Sequence, residues 1–358
     1  MSADGMRTDR GRRDAGPAED ARRASDERHM GDALRAGGAA RRVAPPNPWV
    51  GAVLVTRDGR AFAGATEAPG RRHAEVVALD GAREAAAPTA GATLFVTLEP
   101  CAHHGRTPPC VDAVVRAGVR RVVVAIEDPD AQVRGRGLAA LRAAGVDVEV
   151  GVGRDAAEEQ LAAYLAHRRT GRPMVTLKLA ATLDGRTAAP DGSSRWITGE
   201  PARADAHRLR AGHDAVLVGA GTVRRDDPEL TVRHVPGPDP LRVVLGRAPA
   251  TARVHPALEV QGPLEEVLGE LGARGVIGLL VEGGATVAHA FHHAGLVDRY
   301  VLYLAPAFMG GADGAPLFAG PGAPHIDALA RSRVLAVRQL GDDLRIDVAR
   351  ALAAAPVG

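Results

Sequence analysis

Cysteine is nearly absent from this 358-residue chain: it has two, too few for the disulfide framework of a small secreted domain. In a reducing compartment such a sparse pair more often binds metal or does chemistry. Aromatic residues make up only 3%, which argues against stacking platforms for single-stranded nucleic acid. No apolar run of about 18 residues occurs, and the opening MSADGMRTDRGRRDAG lacks the apolar centre of a secretion signal. Neither charge dominates, with 45 Lys and Arg against 43 Asp and Glu, so there is no broad electrostatic ground for wrapping a nucleic-acid backbone. We therefore expect a cytoplasmic protein that acts on small molecules, with no nucleic-acid and no membrane partner. Gly and Pro number 43 and 25, below the share of roughly 25–30% that marks low-complexity chains, so most of the sequence should fold. At roughly 100–200 residues per domain, the length favours two domains.

Residues 1–24 show no apolar period and read as a disordered extension. A helix is expected from Ser25, turning Met30 and Leu34 inward, followed by an extended loop at Pro45-Pro46-Asn47-Pro48. From there strands and helices alternate: strands at Trp49–Thr56 and Ala61–Thr66 about an Asp58-Gly59 turn, a helix at His73–Ala86, and strands at Ala92–Leu98, Arg121–Ile126 and Val146–Val150 separated by helices. Such alternation predicts a mainly parallel sheet covered on both faces. Residues 151–172 read as a connecting helix and linker, rich in charge and ending at Gly171-Arg172-Pro173. A second alternating unit spans 173–351: strands Met174–Ala180, Asp214–Val218, Leu241–Leu245, Val276–Val281 and Arg299–Leu304, helices Glu200–Ala211, Leu264–Ala273 and Ala285–Ala294, and two closing strands near Val334–Val337 and Leu344–Val348. Residues 352–358 form a tail. The fold class is α/β, with two domains in tandem at 25–150 and 173–351.

The first domain holds His73, Cys101 and Cys110 in that order. Cys101 ends a strand, and Cys110 follows Pro108-Pro109 at a helix start, where the helix dipole favours a thiolate. One imidazole and two thiolates leave one tetrahedral position open, the arrangement of a catalytic rather than a structural zinc. Glu75, two residues after His73, can reach the same place only if the pair sits in the first helical turn. It would then take a proton from water activated by zinc and return protons until ammonia leaves. His-x-Glu followed by Pro-Cys-x-x-Cys marks nucleobase and cytidine deaminases; here eight residues separate the cysteines instead of two. His103 and His104 are rival ligands, and we expect them at the surface or against substrate.

The segment Thr97-Leu98-Glu99-Pro100-Cys101-Ala102-His103-His104-Gly105-Arg106-Thr107-Pro108-Pro109-Cys110, with Pro46-Asn47-Pro48-Trp49-Val50-Gly51 and His73-Ala74-Glu75-Val76, closely resembles the bifunctional riboflavin biosynthesis family that joins a pyrimidine deaminase to a reductase. The resemblance extends over about residues 25–351. It implies a cytidine-deaminase-like three-layer domain, with His73, Cys101 and Cys110 binding one Zn2+ and Glu75 as proton shuttle. Asn47 would hold the pyrimidine through its side-chain amide or, equally well, cap its own loop.

In the second domain neither Gly219-Ala220-Gly221 nor Gly283-Gly284 completes a dinucleotide fingerprint. Glu282-Gly283-Gly284-Ala285-Thr286 does lead from a strand into a helix, where backbone N–H groups can approach a phosphate; a tight turn explains it equally well. Lys178 in an apolar strand calls for a partner, or else its head snorkels at the strand end. Together with Ser194-Arg195-Trp196-Ile197-Thr198 and the run from Gly221 to Pro228, these clusters resemble the reductase half of the same family. That half has a dihydrofolate-reductase-like fold and uses NADPH. The resemblance implies that Ala180, Trp196, Thr222, Asp226, Gly284, Ala285, Thr286, Val287, Ala288, His289 and Ala290 line the cofactor. It implies that Lys178, Ser194, Arg210, Leu230, Arg233 and Glu282 serve the substrate. Arg210 and Arg233 suit a phosphate ester, although Arg210 could also lie on a solvated helix face. The connection at 246–263 looks short for this family, with Leu258-Glu259-Val260 its one candidate strand. The implied function is zinc-dependent deamination of 2,5-diamino-6-(5-phosphoribosylamino)pyrimidin-4-one, then NADPH-dependent reduction of the ribosyl chain to ribityl, by a homo-oligomer. The rivals are an inactive or altered C-terminal half, a structural metal in a binding module, and a nucleic-acid deaminase, the last disfavoured by charge and aromatic content.

Overall fold

The computed structural model describes residues 16–105 and 107–350, which form two compact units divided after Gln160. The first runs α1 (Pro17–Ala39), β1 (Gly51–Val55), β2 (Ala61–Ala65), α2 (Ala74–Glu84), β3 (Thr93–Val96), α3 (Cys110–Arg116), β4 (Arg121–Val124), α4 (Arg136–Ala143), β5 (Asp147–Val150) and α5 (Arg154–Gln160). Its sheet has the order β2-β1-β3-β4-β5. β1 is antiparallel to both neighbours, and β3, β4 and β5 are parallel. The sheet is therefore mixed rather than mainly parallel, because the Asp58-Gly59 turn makes β1 and β2 a hairpin. Helix α1 packs with α5, while α2, α3 and α4 pack in a row, giving the three layers expected.

The extension expected to be disordered is helical from Pro17. Proline in the first turn needs no N–H partner there, and Glu19 and Asp20 complement the dipole. Residues 17–24 are almost wholly exposed, so no apolar period marks them. The anchor comes later, where buried Asp26 accepts two bonds from Arg121 at 3.0 and 2.6 Å and Met30 is fully buried. Residues 1–15 and 351–358 lie outside the described residues. The loop at Pro45–Pro48 is a turn, closed by the Asn47 N–H donating to the Ala44 carbonyl at 2.9 Å.

Two glycines set the site's frame. A Cβ on Gly51 would lie 1.8 Å from the Ala33 carbonyl of α1, and one on Gly64 would lie 2.2 Å from the Ala74 carbonyl of α2. Close approach of β2 thus fixes the first turn of α2. Beyond β3, the buried Glu99 carboxylate accepts backbone N–H bonds from Asp128, Gly135, Gly137 and Leu138 at 3.2, 3.0, 2.8 and 3.3 Å. Gly137 has no room for a Cβ, which would sit 1.9 Å from the Pro100 carbonyl. The strand end that carries Cys101 is thereby tied to the start of α4.

The second unit runs α6 (Ala162–Thr170), β6 (Met174–Thr182), β7 (Arg186–Ala188), α7 (Glu200–Ala211), β8 (Ala215–Gly219), α8 (Ala220–Asp226), β9 (Leu241–Leu245), β10 (Leu258–Val260), α9 (Leu264–Ala273), β11 (Gly278–Val281), α10 (Ala285–His293), β12 (Arg299–Ala305), β13 (Ala315–Pro316), β14 (Ser332–Leu340) and β15 (Asp343–Arg350). Its eight-stranded sheet has the order β10-β9-β8-β11-β6-β12-β15-β14, parallel except for the last two strands. The apolar runs of β6, β8 and β11 meet Leu268, Leu271 and Phe291 of the flanking helices in one core. The connecting segment expected at 151–172 is largely the helices α5 and α6, and the unit boundary falls between them. Leu258–Val260 is indeed a strand, parallel to β9 at the sheet edge. β7, β13 and α8 were not expected.

Glu99→Gln keeps the size of the side chain but replaces an acceptor pair by one acceptor and one donor facing four N–H groups. The first unit should lose about 2–3 kcal/mol. Denaturant titration should show its transition moving to lower concentration while that of the second unit stays in place.

Candidate functional site

His73 caps α2 in an extended conformation instead of belonging to the helix, and Ala74 is the first helical residue. This resolves the geometry of a His-x-Glu pair: the cap lets the imidazole turn outward while Glu75, in the first turn, points inward and is buried. Pro109 caps α3, whose first residue is Cys110. His73 Nδ1 lies 3.2 Å from Cys110 Sγ and 3.6 Å from Cys101 Sγ, and the Cys110 N–H donates to Cys101 Sγ at 3.4 Å. All three donor atoms fall within 4.8 Å of one another. The set of one nitrogen and two soft sulfurs suits Zn2+, with one tetrahedral position left for an exchangeable ligand.

Sequence reasoning missed Thr107. Its Oγ1 lies 3.3 Å from His73 Nε2. The contact lies on the side of the ring away from the sulfurs and so orients the imidazole. The signal was available, since a hydroxyl stands three residues before Cys110. His103 and His104 are exposed and stand outside the cluster, as expected. Arg106 lies outside the described residues.

Electrostatically the donors are strained without a cation. The hydrogen bond from the Cys110 thiol holds Cys101 down to about 4, helped by His73, while the same bond and burial push Cys110 up. The two sulfurs thus share one proton. Burial, reinforced by the Cys101 charge, pushes the Glu75 carboxyl up to about 7. A cavity of about 820 Å3 opens beside the cluster and is walled in part by His73, Thr107 and Cys110. Asn47 is half-buried in the turn before β1.

The second unit assembles another charged group at the C-terminal ends of its parallel strands. Glu282, one residue past β11, accepts from Arg210 Nε and a second guanidinium nitrogen at 2.9 and 3.1 Å, and the third nitrogen donates to the Thr231 carbonyl at 2.6 Å. Lys178 Nζ on β6 stands 3.9 Å from Glu282 and 5.9 Å from the Tyr303 ring centre. Burial alone would push the Glu282 carboxyl up, but the charges of Arg210 and Lys178 outweigh it and hold it below the usual range. Arg210 is buried with all three guanidinium nitrogens engaged, so it is not a solvated helix residue. Lys178 is the only lysine among the 45 Lys and Arg residues, a signal available from the sequence but not used.

Arg233 is exposed, bonds Glu229 and Thr231, and donates its backbone N–H to His207 Nδ1 at 3.0 Å. Burial and the charge of Arg210 push His207 down to about 4, so that nitrogen stays an acceptor. The loop concerned holds Asp227, Leu230 and His234 at φ of +40°, +55° and +67°, an uncommon concentration of left-handed non-glycine residues. Leu230 is buried there.

The expected cofactor residues divide. A Cβ on Gly284, which caps α10, would meet Thr222 Oγ1 at 3.5 Å, so the starts of α8 and α10 lie side by side. A Cβ on Gly219 or Gly283 would strike Val287 at 2.8 or 2.6 Å, so both glycines are needed for that approach. Gly284 and Thr286 are exposed and Ala285 half-buried, whereas Val287 and Ala288 pack into the core. His289 Nε2 lies 3.0 Å from the Pro321 carbonyl, and Ala290 and Ala180 are half-buried. Trp196 is 71% exposed with the Arg203 guanidinium 4.5 Å from its ring centre. Arg195 donates to the Asp226 carbonyl at 2.9 Å, which brings the exposed Ser194 segment to the end of α8. The starts of α8 and α10 therefore lie side by side with small residues at both, and Trp196 stands exposed on the segment tied to the end of α8.

Comparison with known proteins gives the same division. Residues 23–126 match the model of the cytidine and deoxycytidylate deaminase zinc-binding region, and residues 173–346 match that of the RibD C-terminal domain. The chain is 44% identical to riboflavin biosynthesis protein RibD of Mycobacterium tuberculosis, over 85% of this chain and 91% of that one. It is 37% identical to the Bacillus amyloliquefaciens protein of the same name, over 90% and 95%. Among solved structures, Acinetobacter baumannii RibD superposes with a TM-score of 0.84 at 36% identity, covering 92% of this chain and all of that one. A diaminohydroxyphosphoribosylaminopyrimidine deaminase/5-amino-6-(5-phosphoribosylamino)uracil reductase from Thermotoga maritima does so with 0.84 at 31% identity. At this identity and coverage the chain belongs to the RibD family, the bifunctional deaminase and reductase of riboflavin biosynthesis.

Proposed function

We propose that the first unit hydrolytically deaminates 2,5-diamino-6-(5-phosphoribosylamino)pyrimidin-4-one and that the second reduces the product with NADPH. The observation that carries the reading is the convergence of His73, Cys101 and Cys110 beside buried Glu75. His73, Cys101 and Cys110 would hold one zinc ion, which when bound makes water nucleophilic at neutral pH. Glu75 accepts a proton from the attacking water and passes it to the ring nitrogen. It then carries the second proton to the departing amine, so that water adds, the C–N bond breaks and ammonia leaves. Asn47 is assigned to the pyrimidine edge.

When bound in the second unit, NADPH would supply the hydride for reduction of the ring-opened ribosylamine at its first sugar carbon. Gly284, Ala285, Thr286, Thr222, Asp226, Trp196, Ala180 and His289 are assigned to the cofactor, with Val287, Ala288 and Ala290 supporting the helix behind. Lys178 holds a proton near the reacting nitrogen, and Arg210 fixes Glu282 beside it. Arg233, Ser194 and Leu230 face the substrate. We assign the protein to the cytoplasm; among the described residues no helix is long and apolar enough to cross a membrane.

Glu75→Gln should retain zinc yet lower ammonia release by roughly 10²–10⁴-fold. Chelation of the parent protein should abolish ammonia release and leave NADPH oxidation on the deaminated intermediate intact. Equal release by both proteins at equal zinc would count against Glu75 as the proton carrier.

Lys178→Arg preserves the charge but replaces the compact amine by a planar fork. Reduction should fall about 100-fold or more, with deamination unchanged, when each step is assayed separately.

A homo-oligomer is also proposed. The edge strand β14 exposes Val334 and Val337, each 58% accessible, beside unpaired backbone groups. Light scattering should give a mass of two or more chains, and Val334→Lys with Val337→Lys should lower it to that of one.

A further inference from the structure

We propose that His207 is a positioning residue of the reductase unit: together with Arg210, one turn further along α7, it grips the backbone of residues 231–233 and holds the loop that carries Leu230 and Arg233 in the shape that meets the substrate. The inference rests on the reductase reading above and adds to it what fixes the substrate-facing loop.

Residues 227–239, between α8 and β9, belong to no helix or strand. Asp227, Leu230 and His234 hold φ of +40°, +55° and +67°. Side chains with a Cβ resist that region, so a loop with three of them keeps its shape only where other contacts over-determine it. Those contacts come from side chains that take the place of neighbouring strands. The Thr231 carbonyl accepts from Arg210 at 2.6 Å, and the Arg233 N–H donates to His207 Nδ1 at 3.0 Å. The Val232 N–H donates to Asp239 Oδ1 at 2.6 Å. In an extended chain the carbonyl of one residue and the N–H two positions on share a side, while the N–H between them points the other way. The three bonds repeat that alternation, with α7 serving one edge of the segment and Asp239 the other.

His207 and Arg210 are neighbours on one face of the helix, and both are buried. The His207 ring also meets the His234 ring edge to face, with 5.2 Å between centres. One imidazole thus holds the backbone of residue 233 and packs on residue 234, itself left-handed. A Cβ on Gly237 would come 2.6 Å from that of Ala211, so the return of the loop is pressed onto the end of the same helix. Arg210 in turn takes both oxygens of Glu282, which stands 3.9 Å from Lys178 Nζ. A single guanidinium therefore separates the loop from the charged group at the strand ends. The direction of the exposed Arg233 side chain follows from its backbone, because it bonds back to Glu229 and Thr231 of the same loop. Without His207 the Arg233 amide loses its acceptor, and the strained residues on either side can relax and turn Leu230 and Arg233 away.

The test replaces His207 by Leu, which removes the acceptor, and by Asn, whose Oδ1 stands close to the place of Nδ1 and can take the same bond. With His207→Leu, KM for the deaminated intermediate should rise about 10- to 30-fold, while kcat and the KM for NADPH stay within about threefold. With His207→Asn all three should stay within about threefold of the parent. Hydrogen exchange at the Arg233 amide should quicken in the Leu variant and stay slow in the Asn variant. Asp239→Ala, a change at an exposed residue, frees the other edge of the segment and should raise the same KM about 3- to 10-fold, which keeps a reading available if His207→Leu does not fold. Zinc content and ammonia release serve as internal controls and should not move. A KM unchanged in the Leu and Ala variants, a fall in kcat without a rise in KM, or equal losses in the Leu and Asn variants would overturn the assignment. Should the amide be released while KM holds, His207 shapes the loop but not for the substrate, and the proposal fails. No NADPH oxidation by the parent on the deaminated intermediate would instead remove the reductase reading, a result the exchange measurement does not depend on.

Discussion

Two sulfurs and an imidazole nitrogen within 4.8 Å are a poor neighbourhood for one another unless a cation lies among them. The hydrogen bond from Cys110 holds Cys101 low, and burial together with the Cys101 charge raises Glu75 beside them. Binding a divalent ion removes that conflict by replacing the shared proton. Most of the first unit serves to keep these atoms from drifting apart. Gly64 lets β2 press on the first turn of α2, Glu99 ties the end of β3 to the start of α4, and Pro109 sets where α3 begins. The fold places two helix starts and the segment following β3 around a single point, and the chemistry follows from what those termini present.

The second unit solves a different problem. Glu282 is a buried carboxylate, and a buried charge is tolerated only when paired and fully hydrogen-bonded. Arg210 takes both its oxygens, which leaves Lys178 at 3.9 Å as a looser neighbour. An amine in that position feels a negative field without being locked by it, so it can still offer a proton to something else. A second arginine there would form another fork onto the carboxylate and close the site. This accounts for the solitary lysine of a chain that otherwise chooses arginine for every basic side chain.

The sequence was most legible where local signals coincide. Glu200–Ala211, Leu264–Ala273 and Leu241–Leu245 fall where proline, acidic first turns and apolar runs predict them. The cluster of His73, Cys101 and Cys110 was legible because only two cysteines exist to choose from. What escaped depends on contacts that spacing does not encode. Whether Arg210 lay on a solvated helix face was not legible, because its partner Glu282 stands 72 positions away. Helix α8 was missed because it is seven residues long and opens on Ala220-Gly221, a weak helix former. Residues 17–24 looked disordered because their helix is secured by Asp26 and Met30 farther on.

The distribution of arginine makes a last point about reading sites from composition. With arginine so common, no single guanidinium is informative. Lys178 stands out against a uniform background and Glu99 against an apolar one. In each case the exception to a local rule, weighed against what it costs to keep, locates the chemistry more sharply than the pattern around it.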